Sequence, residues 1–208
     1  MRTTIRDIFY FVSDLLMPAR RGQALLRTLT LAQLKALARY DGSLPYQEPV
    51  VRALVWELKY HAEGAAVALA GEYLAEFLID EASDCVGTPL VIPMPMHTAR
   101  RKARGHNQTE LLCDSALRSL GEAGGGIEYN PHILIRTRHT APQQGLARHA
   151  RLSNVKDSMQ VVYPELVEGR ICIVVDDVTT TGASFVEAKR ALRDAGAAEV
   201  RTLALARS

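Results

Sequence analysis

Ile171-Cys172-Ile173-Val174-Val175-Asp176-Asp177-Val178-Thr179-Thr180-Thr181-Gly182-Ala183-Ser184 is the stretch of this chain whose reading decides its fold. Its first five residues form a continuous, mostly β-branched apolar run, the pattern of a strand buried on both faces of a parallel sheet. A polar loop is expected from Asp176 onward. The helix after it carries Phe185, Ala188, Ala191, Leu192 and Ala195 inward, and Gly196 stands where a C′ glycine belongs. Val200 to Ala206 reads as the returning strand. The whole is a βαβ unit with a right-handed crossover, and its loop lies at the carboxyl end of a parallel strand, where α/β sheets place their ligands.

The composition of that loop suits a phosphorylated sugar. Consecutive backbone N–H groups at a helix N-terminus favour a dianion, and the helix dipole adds to the attraction. Gly182 permits close backbone approach, and the hydroxyls of Thr180, Thr181 and Ser184 supply further donors. The carboxylates of Asp176 and Asp177 would repel that phosphate, but they suit two vicinal hydroxyls, as on a ribose. The candidate binding run is therefore Asp176, Asp177, Thr179, Thr180, Thr181, Gly182, Ala183 and Ser184, and the ligand it describes is a ribose 5-phosphate. Solvated aspartates ahead of a Thr-rich helix cap would be the bland alternative for the Asp-Asp pair alone; the complete pattern argues against it.

Outward from this unit, Leu90-Val91-Ile92 is a second short apolar run, closed by Pro93 and Pro95, as for a buried strand ending in a tight turn. Basic sequence follows, then a helix with Leu112, Cys113, Ala116, Leu117 and Leu120 on one side. Gly124-Gly125-Gly126 reads as a loop, and His132 to Arg136 and Met159 to Tyr163 as strands. The long arginine-bearing segment between those strands has the character of a lid or mobile loop. Most of the first eighty residues have helical spacing: Ile5, Ile8, Phe9, Val12, Leu15 and Leu16 make one stripe, and Val50, Val51, Leu54, Val55 and Leu58 another. Thr30 and Gln33 form a candidate capping box ahead of Leu31, Leu34 and Leu37.

Of the 208 residues, 48% are hydrophobic and 23% charged, which suits a folded domain with a real core. A net charge of +2, from 25 basic and 23 acidic residues, is not that of a general nucleic-acid binder. With 6% aromatic residues and basic clusters that lack interleaved rings, direct single-strand binding is not expected. Cys85, Cys113 and Cys172 are far apart, so neither a zinc ribbon nor a disulfide framework is expected, and Cys172 reads as a small core residue. Asp7 and Asp14 interrupt the first apolar stretch, and no run approaches membrane-spanning length, so a cytoplasmic protein is expected.

The Asp176 to Ser184 run resembles the phosphoribosyl-pyrophosphate signature of type I phosphoribosyltransferases. Val91-Ile92-Pro93-Met94-Pro95-Met96-His97 is similar to the pyrophosphate loop of the amidophosphoribosyltransferase branch. Further similarity, in Leu58-Lys59-Tyr60, Arg104-Gly105-His106-Asn107-Gln108, Arg136-Thr137-Arg138-His139-Thr140, Gln143, Leu146, Arg151, Asn154 and Leu205-Ala206-Arg207, identifies the chain as resembling the ComF family of competence-associated phosphoribosyltransferase-like proteins. It runs from about Pro45 to the C-terminus. Two departures stand out. Family members often carry an N-terminal four-cysteine zinc ribbon, and here that region has no cysteine. His106 stands where a phenylalanine is common, and a structural role fits it better than catalysis.

The resemblance implies a type I phosphoribosyltransferase fold: an α/β domain over 45–208 with a central, mainly parallel sheet flanked by helices. Residues 1–44 would be a helical hood in place of a ribbon, and about 136–156 a flexible flap. It implies 5-phosphoribosyl-1-pyrophosphate as ligand, with Mg²⁺ reaching the protein through the ligand and water and no zinc. In the Pro95, Met96 and His97 loop, backbone N–H groups would face the diphosphate. Arg100, Arg101 and Arg104 would neutralise it through bidentate contacts, and Arg138, Arg148 and Arg151, with Lys102 behind them, are the flap and loop candidates. A solvated basic surface is the alternative for each of these cations. Two functions follow: transfer of a phosphoribosyl group to a nitrogen acceptor, or a non-catalytic DNA-uptake accessory module that keeps the ligand site beside a helicase-like protein partner.

Overall fold

The computed structural model describes residues 26–61, 64–138 and 155–208. Within them the apolar run at Ile171 is the middle of a parallel sheet. The strands are β1 (Leu44–Pro45), β2 (Leu90–Pro93), β3 (Glu128–Tyr129), β6 (Ile171–Thr179) and β7 (Glu199–Arg207), in the order β1-β7-β6-β2-β3. Every neighbouring pair is parallel. A separate antiparallel ribbon joins β4 (Leu134–Arg136) to β5 (Met159–Val161). The helices are α1 (Leu31–Leu37), α2 (Pro49–Tyr60), α3 (Ala65–Ser83), α4 (Thr98–Arg104), α5 (Gln108–Leu120) and α6 (Ala183–Asp194).

Alternation along β6 explains why its apolar run has no polar face. Ile173 and Val175 point into one core with residues of α2, α3 and α5, whereas Cys172 and Val174 point into a second core with α6 and the β4–β5 ribbon. All four are fully buried, and each aliphatic side chain so buried stabilises the fold by about 1.5–3 kcal/mol. The cysteine expectation holds at Cys172, whose thiol is pushed up to about 11 by burial. The capping box is present: Thr30 Oγ1 accepts the Gln33 N–H at 3.3 Å and Gln33 Oε1 accepts the Thr30 N–H at 2.9 Å. Leu34 of α1 is buried in the same core as the sheet. The crossover helix ends as expected, with Gly196 at φ 92° just beyond the cap.

Several boundaries differ from the sequence reading, each for a local reason. β6 runs on to Thr179 because β7 pairs with it that far, Val178 opposite Ala206 and Thr179 opposite Arg207; Asp176 and Asp177 therefore stand on the end of a strand and not on a loop. β4 starts only at Leu134, since the His132 N–H is turned back onto Asn130 Oδ1 at 3.0 Å. β5 stops at Val161, ahead of a 3₁₀ turn over Pro164–Leu166. Gly124 to Gly126 lie in a 3₁₀ turn over Gly121–Gly126. The Ile5 to Leu16 stripe lies outside the described residues. Among the described residues no helix is long and apolar enough to cross a membrane.

Candidate functional site

The carboxylates come from the end of β6. Asp177 is 5% exposed; its Oδ2 is buried with no hydrogen-bond donor among the described residues, and Lys59 Nζ stands 3.9 Å from it. Asp176 accepts the Asp177 N–H on Oδ1 at 2.9 Å. Burial first, and then the neighbouring Asp177 charge, raise the Asp176 carboxyl well above the usual carboxylate range, against the pull of the Arg136 guanidinium. A carboxyl pair so placed has acceptor capacity that the fold itself does not use up.

Beyond the carboxylates the chain turns into α6. Thr179 is buried as the last residue of β6, and its carbonyl accepts the Ser208 N–H at 3.0 Å. Thr180 is exposed and Thr181 half-buried. Thr181 Oγ1 accepts the Ala183 N–H at 3.4 Å. Gly182 caps α6 at φ 75°, a left-handed conformation that strains any residue with a side chain. The first turn of α6, with Ala183 buried and Ser184 half-buried, thus opens at the strand end where the aspartates stand, with the positive end of its dipole toward the loop.

β2 brings the second loop alongside. It pairs with β6 in the register Pro93 to Val175, and the Met94 N–H donates to the Val175 carbonyl at 2.7 Å. Pro95, Met96 and His97 follow beyond the end of that pairing, all half-buried. His97 Nδ1 accepts the Ala99 N–H at 3.2 Å and so starts α4. Asn107 is buried and has two tasks: its Nδ2 donates to the Met94 carbonyl at 3.2 Å and its Oδ1 accepts the Thr109 N–H at the head of α5.

The basic residues separate by what holds them. Arg101 is bound at both Nη1 and Nη2 by Glu110, each contact 2.7 Å, which ties α4 to α5. Arg100 and Lys102 are exposed. Arg104 donates to Gln108 Oε1 at 2.5 Å, lies 5.6 Å from the Tyr60 ring centroid and feels the Asp177 charge, although burial lowers its pKa. Arg138 donates to the Lys156 carbonyl at 2.5 Å. Arg148 and Arg151 lie outside the described residues. His106 Nε2 is 3.1 Å from the Leu58 carbonyl, a bond that ties α2 to the Arg104–Gln108 corner and agrees with a structural role.

Two residues that sequence reasoning did not single out as site residues now stand in it. Arg136, at the end of β4, donates from Nε to the Pro95 carbonyl at 3.3 Å and places its charge beside Asp176. Lys59, near the end of α2, stands against Asp177. Both lie in segments that carry the family resemblance, but neither has a spacing that links it to β6. Among the described residues no three His, Cys, Asp or Glu side chains form a group able to cage a metal ion.

Residues 120–208 match the phosphoribosyl transferase domain family. The DNA utilization protein YhgH of Salmonella typhi is 34% identical over 164 residues, which cover 77% of this chain and 68% of that protein. Competence protein F of Haemophilus influenzae is 35% identical over 120 residues, 57% of this chain and 50% of that one. Among solved structures, glutamine phosphoribosylpyrophosphate amidotransferase from B. subtilis superposes with a TM-score of 0.44 at 20% identity, over 73% of this chain and 30% of that chain. A relative matched over more than two thirds of both lengths, together with a parallel sheet that ends in the Asp176–Ser184 strand-to-helix joint, decides the assignment: the chain belongs to the ComF family, with the α/β fold of type I phosphoribosyltransferases.

Proposed function

We propose that this protein binds 5-phosphoribosyl-1-pyrophosphate with Mg²⁺ and transfers the phosphoribosyl group to a nitrogen acceptor. The observation that carries this reading is the Asp176–Asp177 pair at the end of β6, which leads into the glycine-capped start of α6 and has the loop after β2 on its neighbouring strand. The α6 N-terminus suits the 5-phosphate, the carboxylates suit the ring hydroxyls, and the loop after β2 suits the diphosphate. That order matches the order of groups along the ligand.

In the reaction the acceptor nitrogen forms a bond to C1 of the ribose as the C1–O bond to the diphosphate breaks. The bonding pair leaves with pyrophosphate, and the nitrogen loses its proton. Positive charge grows at the sugar and negative charge on the leaving group, so fixed charges aimed at both lower the barrier. Asp176 and Asp177 would orient the sugar, and Arg104 and Arg100 would face the leaving group, with roles for Arg138, Arg148 and Arg151 resting on the family resemblance. The unfilled Asp177 Oδ2 suits a ligand complex, whereas no caging cluster stands among the described residues; Mg²⁺ would be held by diphosphate and ribose oxygens, and when bound it offsets the leaving group's charge.

The names of the relatives point to DNA utilization and competence, and a second reading follows, in which the same site serves such a role beside a protein partner without turnover. Isothermal titration with phosphoribosyl pyrophosphate, with and without Mg²⁺, tests what the two share; a folded protein that binds neither way sinks both. Pyrophosphate release across a panel of nitrogen acceptors then separates them. Release with one acceptor supports transfer, and binding without release from any of them supports the accessory role.

A further inference from the structure

The end of α2 enters the site from outside the βαβ unit, and its geometry is that of an unfinished contact. Lys59 Nζ stands 3.9 Å from Asp177 Oδ2, with the two side chains only 19% and 7% exposed. A charge-assisted N–H···O bond closes at about 2.7–2.9 Å, so a lysine placed there solely to neutralise Asp177 would sit roughly 1 Å nearer. The Oδ2 atom is buried and meets no hydrogen-bond donor among the described residues. Beside Lys59 the backbone is held, the Leu58 carbonyl being tied to His106 Nε2 at 3.1 Å, and Nζ lies 6.0 Å from the Tyr46 ring centroid.

An alcohol can complete such a gap, because a hydroxyl both donates and accepts. Its O–H would donate to Oδ2 and its oxygen would accept from Nζ. An oxygen about 2.8 Å from each atom stands at the apex of a roughly 90° angle, within ordinary hydrogen-bond geometry. A phosphate oxygen cannot do the same, since it has no proton to give to a carboxylate. We infer that Lys59 is a substrate-contact residue: its ammonium and the Asp177 carboxylate grip one ring hydroxyl of the ribose from two sides, and the pair selects ribosyl over deoxyribosyl ligands. The inference rests on the phosphoribosyl reading above and names the part of the sugar that Lys59 meets.

The test is a titration of ribose 5-phosphate and its 2-deoxy and 3-deoxy analogues into wild type, Lys59→Met and Lys59→Arg, each checked for folding by circular dichroism. In wild type one deoxy analogue should bind about tenfold more weakly than ribose 5-phosphate, the cost of losing a hydrogen bond to charged groups. Lys59→Met should lose about the same factor on ribose 5-phosphate and nothing further on that analogue, because the two changes remove one interaction. Lys59→Arg should fall between. Equal weakening of all three ligands in Lys59→Met would overturn the inference alone, by showing a plain counter-charge or a phosphate contact. A folded wild type that binds none of the three overturns the phosphoribosyl reading and this inference with it. If Lys59→Met does not fold, Lys59→Arg decides: discrimination retained in full overturns the hydroxyl contact.

Discussion

The two walls of this site are made in different ways. One is contiguous: Asp176 to Ser184 come from a single strand-to-helix joint, and their relative placement needs only the end of β6, one left-handed glycine and the start of α6. The other is assembled from Lys59 on α2, the loop after β2, Asn107 at the head of α5 and Arg136 on β4, and it exists only once the two cores have packed. The contiguous wall holds the groups suited to a sugar phosphate. The assembled wall holds cations and the bonds that set the height of the second loop. A lost side chain in the first should remove a ligand contact; in the second, Lys59 apart, a lost side chain should misplace contacts that remain.

The largest effect is expected where the contiguous wall is emptied of charge. Asp176→Asn combined with Asp177→Asn should reduce phosphoribosyl pyrophosphate binding by more than about a hundredfold, since two charge-assisted hydrogen bonds of about 1.5–3 kcal/mol each are lost. Titration calorimetry on the folded double variant measures it. Unchanged affinity would break the comparison at its base, because the ribose assignment would be wrong.

Next comes the assembled wall, through Arg136. Its guanidinium joins the Pro95 carbonyl and the Asp176 charge. Arg136→Met should weaken phosphoribosyl pyrophosphate by about tenfold, one charge-assisted hydrogen bond's worth, and ribose 5-phosphate by less if, as proposed, the loop it holds faces the diphosphate. Parallel titrations of the two ligands sharpen the comparison. Equal losses would mean that Arg136 works through Asp176 and not through the loop.

How much of this was legible in the sequence follows the same division. The buried β6, the crossover helix, the Gly196 stop and the Asp176–Ser184 run all show in short-range pattern, because a β-branched run, helical spacing and a glycine at positive φ are local causes. The strand ends did not. β6 extends past Asp176 only because β7 is there to pair with it, and pairing partners are not written in the strand itself. The surroundings of the cations were hidden for a related reason. Arg101 looks equivalent to Arg100 and Arg104 in the sequence, yet Glu110 on the next helix takes both its Nη1 and Nη2, while Lys59 carries no mark of its place beside Asp177. Composition identifies a basic residue; only packing decides what it faces.

The smallest predicted effect concerns stability, and it has the opposite sign to the loss of binding. Burial and the Asp177 charge raise the folded-state pKa of Asp176 above its unfolded value of about 3.9. For a group raised in this way, its contribution to stability is fully present below the unfolded pKa and is lost as pH rises through the folded pKa. At neutral pH, well above the unfolded pKa, Asp176 therefore weighs against the folded state. Asp176→Asn keeps an oxygen to accept the Asp177 N–H, which Asp176 Oδ1 now accepts at 2.9 Å, and removes the charge. Its melting temperature at pH 7 should be higher than wild type by about 2 to 4 °C, the equivalent of ~1 kcal/mol in a chain of this size, and the difference should close as the pH falls toward 4. Thermal melts across that range measure it. A lower melting temperature at pH 7 would mean that Arg136 outweighs burial, and that the contiguous wall depends on the assembled one for its charge as well as its position.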